Sequence, residues 1–152
     1  MKTEFYQTLV RQVEALISGE DDLIAAMANF SALINDNLDD LNWAGFYIVK
    51  NDQLVLGPFQ GKVACTRIAM GKGVCGTAAA TNTTQRVADV HQFEGHIACD
   101  SASNSEIVVP VHQNGKVIAV LDIDSPLLDR FDEQDQLGIE LLVKQFETCL
   151  FG

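Results

Sequence analysis

The chain has no apolar run approaching the roughly 20 residues that a bilayer span requires. Its first residues, Met1-Lys2-Thr3-Glu4-Phe5, lack the apolar stretch of a secretory leader. Positive charge is scarce, with 10 Lys and Arg against 21 Asp and Glu and a formal net charge of −11. Such a surface repels a nucleic-acid duplex and an anionic membrane alike. Neither is expected as a partner, and a cytoplasmic setting follows, where thiols stay reduced unless they turn over. No two of the cysteines, Cys65, Cys75, Cys99 and Cys149, stand as C-x-x-C. His96 and Cys99 make one possible ligand pair, but no second pair lies at metal spacing, so no metal is expected. Gly61-Lys62 has no Ser or Thr behind it, which excludes a phosphate loop. Internal repeats, linkers and low-complexity tracts are also missing.

What is present suits a packed core: 47% of the 152 residues are hydrophobic and 20% charged. Phe5, Leu9, Val13 and Leu16-Ile17 recur at helical spacing behind Thr3 as a cap, and Gly19 closes the segment. Asp21 or Asp22 opens a second helix with Leu23, Met27, Phe30 and Ile34 on one face. Strands are predicted over 42–49 and 54–59, joined by Asn51-Asp52. A short strand over 65–69, a turn at Gly71-Lys72-Gly73, a helix over 74–81 and an extended piece over 87–90 follow. Residues 91–105 form a long aperiodic connection, the kind that in compact domains carries function. Asn114-Gly115 joins strands 106–112 and 117–123 as a hairpin. Phe131-Asp132 starts a last helix with Leu137, Leu141-Leu142 and Phe146 facing inward. The order predicts an α+β fold, a central antiparallel sheet of five to six strands with helices packed against it. The whole chain, 1–152, reads as one domain: helices over 1–38, the sheet and its loops over 42–126, and a terminal helix over 131–151.

Gly71-Lys72-Gly73-Val74-Cys75-Gly76 spells G-x-G-x-x-G, but no parallel strand follows it, so a dinucleotide site is not expected. Trp43, Gly45 and Tyr47 alternate onto one strand face, as a core face or as a box with aromatic walls and a glycine floor. Asp122 and Asp124 share a face at the end of an apolar strand, a place for an ammonium or a shared proton. The Asn-Gly hairpin brings Glu106 near Asp124. A strict two-residue loop would pair Glu106 with Ile123, so a common face needs a bulge. Cys149 falls inside a helical pattern and reads as packing. Cys75 begins a short helix, Cys65 opens a short strand, and Cys99 lies on a small, polar loop where a thiol can meet a substrate.

Taken together these residues resemble the free methionine-(R)-sulfoxide reductases, catalytic members of the GAF-domain superfamily. The similarity rests on 42–47, 56–62, Cys65 with Ile68, the Gly71–Gly76 run, 90–101, 105–110 and 121–125, and so covers nearly the whole chain. It implies a GAF-like fold and reduction of free L-methionine-(R)-sulfoxide to methionine. Cys99 would be the nucleophile and become a sulfenic acid. Cys65 would resolve it as a disulfide, Cys75 would join a second exchange, and which of the two resolves stays open. Thioredoxin would supply the electrons, with no bound cofactor, and the family's habit is a homodimer. Glu106 and Asp124 would protonate the departing oxygen, Asp122 would meet the ammonium, and Trp43 and Tyr47 would hold the S-methyl group. Asp100 beside Cys99 disfavours a free thiolate, so activation on substrate binding is expected, with residues 91–105 acting as a lid. The competing readings are a non-catalytic GAF sensor of a small ligand and a redox-sensing interaction module.

Overall fold

In the computed structural model the described residues are 1–96 and 102–152, so the expectations for Cys99 and Asp100 lie outside them. Among the described residues, four α-helices and six strands run in the order α1 (Lys2–Ile17), α2 (Leu23–Asn37), β1 (Trp43–Lys50), β2 (Gln53–Gly61), β3 (Arg67–Ala69), α3 (Gly73–Thr81), β4 (Gln85–Val87), β5 (Ser105–Gln113), β6 (Lys116–Ser125) and α4 (Glu133–Phe151). The strands form one sheet in the order β3-β2-β1-β6-β5-β4, and each neighbouring pair is antiparallel. The α+β expectation and its five to six strands are met.

Alternation divides the sheet into two faces with two cores. Ala44, Phe46, Ile107, Val109, Val111, Ala119, Leu121 and Ile123 meet Leu9, Val13, Met27, Phe30, Ile34 and Phe146 of α1, α2 and α4. Phe30, Phe46 and Phe146 pack as a triad with centroids 5.1–5.6 Å apart. The opposite face, with Trp43, Tyr47, Val108 and Val120, packs on Val74, Cys75, Ala78 and Ala79 of α3. That face carries the polar groups.

Both hairpin turns follow from their residues. Asn51-Asp52 and Asn114-Gly115 all take positive φ, the geometry that matches strand twist in a two-residue loop. Asp22 caps α2 by accepting from the Ala25 amide. Three expectations need correction. Thr3 lies inside α1, whose cap position is Met1 without a side-chain bond. Residue 65 precedes β3, which begins at Arg67, so Cys65 does not open a strand. On α4, Leu137 and Leu141 are 56% and 51% exposed, and the inward stripe is Ile139, Leu142, Val143 and Phe146. The stripe is rotated because Gly138 must face α1.

The reason lies at the α1–α4 crossing. Tyr6 lies so close to α4 that a Cβ on Gly138 would sit 2.2 Å from its ring. The Tyr6 hydroxyl donates to Asp135 Oδ1 at 2.7 Å, and Asp135 also closes a capping box with Asp132. Lys2 reaches Asp135 and Asp132 at 2.7 and 2.8 Å. Gly138→Ala is expected to destabilise the protein by about 2 kcal/mol, the cost of overpacking a closed contact. Urea unfolding checks this, and an unchanged midpoint would contradict it.

Candidate active site

The acids of the polar face owe their position to one extra residue. Near the turn His112 pairs with Val117, but beyond it Val111 pairs with Ala119, leaving Ile118 as a bulge on β6. The shift sets Glu106 opposite Asp124 instead of Ile123, as a common face requires. On the other side of β6, Asp124 faces Trp43 and Asp122 faces Gly45. Glu106, Asp122, Asp124, Trp43 and Tyr47 therefore gather from three adjacent strands.

Trp43 and Tyr47 stack at 5.9 Å with planes 22° apart, and Phe59 also stacks on Trp43 at 4.9 Å. The glycine floor is corrected: a Cβ on Gly45 would lie 2.2 Å from Phe59 Cβ, so Phe59 fills the space beside Gly45. Both aromatic walls are tied at their polar ends. Trp43 Nε1 donates to the Lys62 carbonyl at 3.1 Å and the Tyr47 hydroxyl to the Cys65 carbonyl at 2.9 Å. The aromatic wall thus fixes the segment that presents Cys65. That cysteine is in a disulfide, whereas Cys75 and Cys149 are free thiols. Cys149 packs against the α1/α4 core, as expected.

Glu106, Asp122 and Asp124 are 7%, 5% and 6% exposed. Burial, then the nearby Asp122 and Asp124 charges, push the Glu106 carboxyl well above its ordinary range. Burial likewise raises Asp122. Cys75 enters from α3, its Sγ donating to Glu106 Oε2 at 3.9 Å. Burial, followed by Asp122 and Glu106, drives its thiol well up, so the helix start does not make a thiolate of it. One oxygen, Asp122 Oδ1, is buried without a hydrogen-bond partner. Burial that raises the pKa of an acid beside a pocket favours its protonated form, which can hand its proton to a bound oxygen.

The raised acids have a consequence for stability. Between the ordinary Glu value of 4.5 and its raised value, the folded chain keeps a proton that the unfolded chain has released. Unfolding free energy therefore falls as pH rises through that window, and Asp122 acts in the same sense. Glu106→Gln is expected to flatten this decline. Urea titrations at about pH 5 and about pH 8 compare the slopes, and parallel slopes for variant and wild type would refute the assignment.

The pocket is lined by Trp43, Tyr47, Cys75, Glu106, Asp122 and Asp124, with Lys72, His96 and Ser103 among its other walls. Together with the open solvent at its mouth it takes in about 490 Å³. Sequence pattern alone does not mark Lys72, His96 and Ser103 as pocket walls. Ser103 accepts from Asn42 Nδ2 at 3.0 Å across 61 positions, a contact no local pattern reveals. His96, one of the two residues that sequence spacing offers as a ligand pair, lines the pocket wall, its pKa lowered by burial and then by His91. The G-x-G-x-x-G glycines serve a turn. Gly71 and Gly73 take positive φ, and a Cβ on Gly76 would lie 2.5 Å from the Ala69 carbonyl oxygen. Among the described residues, no helix is long and apolar enough to cross a membrane.

Comparison with known proteins gives concordant results. The GAF domain family matches residues 25–150. The free methionine-R-sulfoxide reductase of Escherichia coli K12 is 56% identical over 149 residues, covering 98% of this chain and 90% of that protein. The structure of fRMsr of Staphylococcus aureus in complex with substrate superposes with a TM-score of 0.92 at 54% identity, over 95% of each chain. That of the free methionine-R-sulfoxide reductase of Neisseria meningitidis, also with its substrate, has a TM-score of 0.93 at 44% identity. It spans 98% of this chain and 90% of that one.

Proposed function

Because the chain belongs to the GAF-domain family and, within it, to the free methionine-R-sulfoxide reductases, we propose that it reduces free L-methionine-(R)-sulfoxide to L-methionine at the pocket of Trp43, Glu106 and Asp122. The observation that carries this is the juxtaposition of a stacked aromatic wall with three buried carboxyls, beside a segment holding a disulfide-bonded cysteine.

Trp43 and Tyr47 take the S-methyl group against their faces, an apolar and polarisable contact. Glu106, paired with Asp124, protonates the sulfoxide oxygen. Asp122, whose free oxygen lacks a donor, accepts from the substrate's ammonium. The Cys99 sulfur attacks the sulfoxide sulfur. The oxygen passes to Cys99 as a sulfenic acid, and methionine leaves as the thioether. A thiol then attacks the sulfenic sulfur, releasing water and forming a disulfide. Cys65 is that thiol: among the described cysteines it is the one in a disulfide, while Cys75 is free and burial pushes its thiol well up. Thioredoxin returns two electrons by thiol–disulfide exchange, and no bound cofactor takes part. A homodimer in the cytoplasm completes the reading.

The test is turnover coupled to thioredoxin, with separated epimers of free and peptide-bound methionine sulfoxide. Steady turnover confined to the free R epimer is expected. Binding of the amino acid without turnover would point to a ligand sensor and overturn the proposal.

A further inference from the structure

We propose that Cys75, Glu106 and Asp122 form a binding site for a borderline-soft divalent cation of the zinc class. One donor atom from each of these side chains, a sulfur and two carboxylate oxygens, lies within 4.8 Å of the other two. They arrive from α3, β5 and β6, so no spacing along the chain announces them. All three are buried, and Cys75 Sγ lies 3.9 Å from Glu106 Oε2. Donors around tetrahedral zinc stand about 3.5 Å from one another, so modest side-chain rotation draws the set together.

A second observation points the same way. Asp122 Oδ1 is buried in this pocket with no hydrogen-bond partner, a lone acceptor in want of a cation or donor. Asp124 lines the same wall and adds negative charge. The sulfur sets the selectivity: calcium and magnesium take oxygen ligands in larger number, whereas a thiolate with carboxylates suits zinc and cadmium. The pocket's mouth gives the ion a way in and leaves the fourth position to water. The inference does not rest on the reductase reading, since it is read by binding and not by turnover.

The test uses the full chain with Cys65 held in its disulfide, which leaves Cys75 and Cys149 as the free thiols among the described residues. Calorimetric titration with zinc chloride is expected to show one equivalent bound. Cys75→Ala should weaken it by more than about tenfold, the loss that removal of even an outer-shell partner causes, while Cys149→Ser leaves it unchanged. Cadmium chloride should give the ultraviolet charge-transfer band of a thiolate ligand in the wild-type and Cys149→Ser proteins. If Cys75→Ala does not fold, Asp122→Asn replaces it with the same expected weakening. Equal zinc affinity in the variant, no thiolate band with cadmium, or no zinc binding to the wild type would each overturn the assignment.

Discussion

Cys99→Ser is expected to lower turnover of free methionine-(R)-sulfoxide by roughly 10⁴-fold or more, the scale on which removal of an attacking group acts in covalent catalysis. A serine hydroxyl neither attacks a sulfoxide sulfur at neutral pH nor carries its oxygen as a sulfenic acid. Neither Cys75 nor Cys149 substitutes for Cys99. Cys75 is buried against Glu106 and Asp122, which hold its proton on. Cys149 lies on α4, packed against the opposite core. The aromatic wall and the acids stay in place, so the variant should still bind the amino acid. Turnover of the R epimer and its binding are measured on the same preparation. Retained, epimer-selective turnover would end the proposal that Cys99 is the nucleophile.

Glu106→Gln is expected to reduce kcat by between about 10² and 10⁴, the contribution of a positioned general acid. The amide conserves volume and the β5 ladder, in which residue 106 pairs with Val87 and Asp124. It loses the proton that burial and two aspartates retain on the carboxyl. Because Gln can still donate a hydrogen bond, the effect belongs on kcat more than on KM. The pH profile of kcat should also lose the limb that falls as the acid ionises. A variant with wild-type kcat and an unchanged profile would assign the proton to another group, Asp124 being the nearest in register.

The frame of this site was legible because strand alternation is local. The Asn114-Gly115 turn set the hairpin, and the pairing arithmetic itself showed that a bulge was needed to align Glu106 with Asp124. Helix phase was harder. Leu137 and Leu141 look like core residues until the contact between Gly138 and the Tyr6 ring fixes which side of α4 meets α1. Phe59 taking the space beside Gly45 is a cross-strand event between β1 and β2. The approach of Cys75 to Glu106 joins a helix and a strand 31 positions apart. Such contacts depend on how layers close, and neither composition nor periodicity encodes that closure.

Ile118 acts on this sheet as a frameshift acts on a message. Deleting it would leave the Asn-Gly turn and both strands intact, yet everything on β6 beyond it would fall out of step with β5. Glu106 would then come level with Ile123, and one strand or the other would have to turn its acids toward Phe30 and Phe146. A single residue, far from the acids and touching none of the chemistry, keeps charge out of the oily layer. An odd-numbered length change in that hairpin is the edit that neither fold nor catalyst would survive.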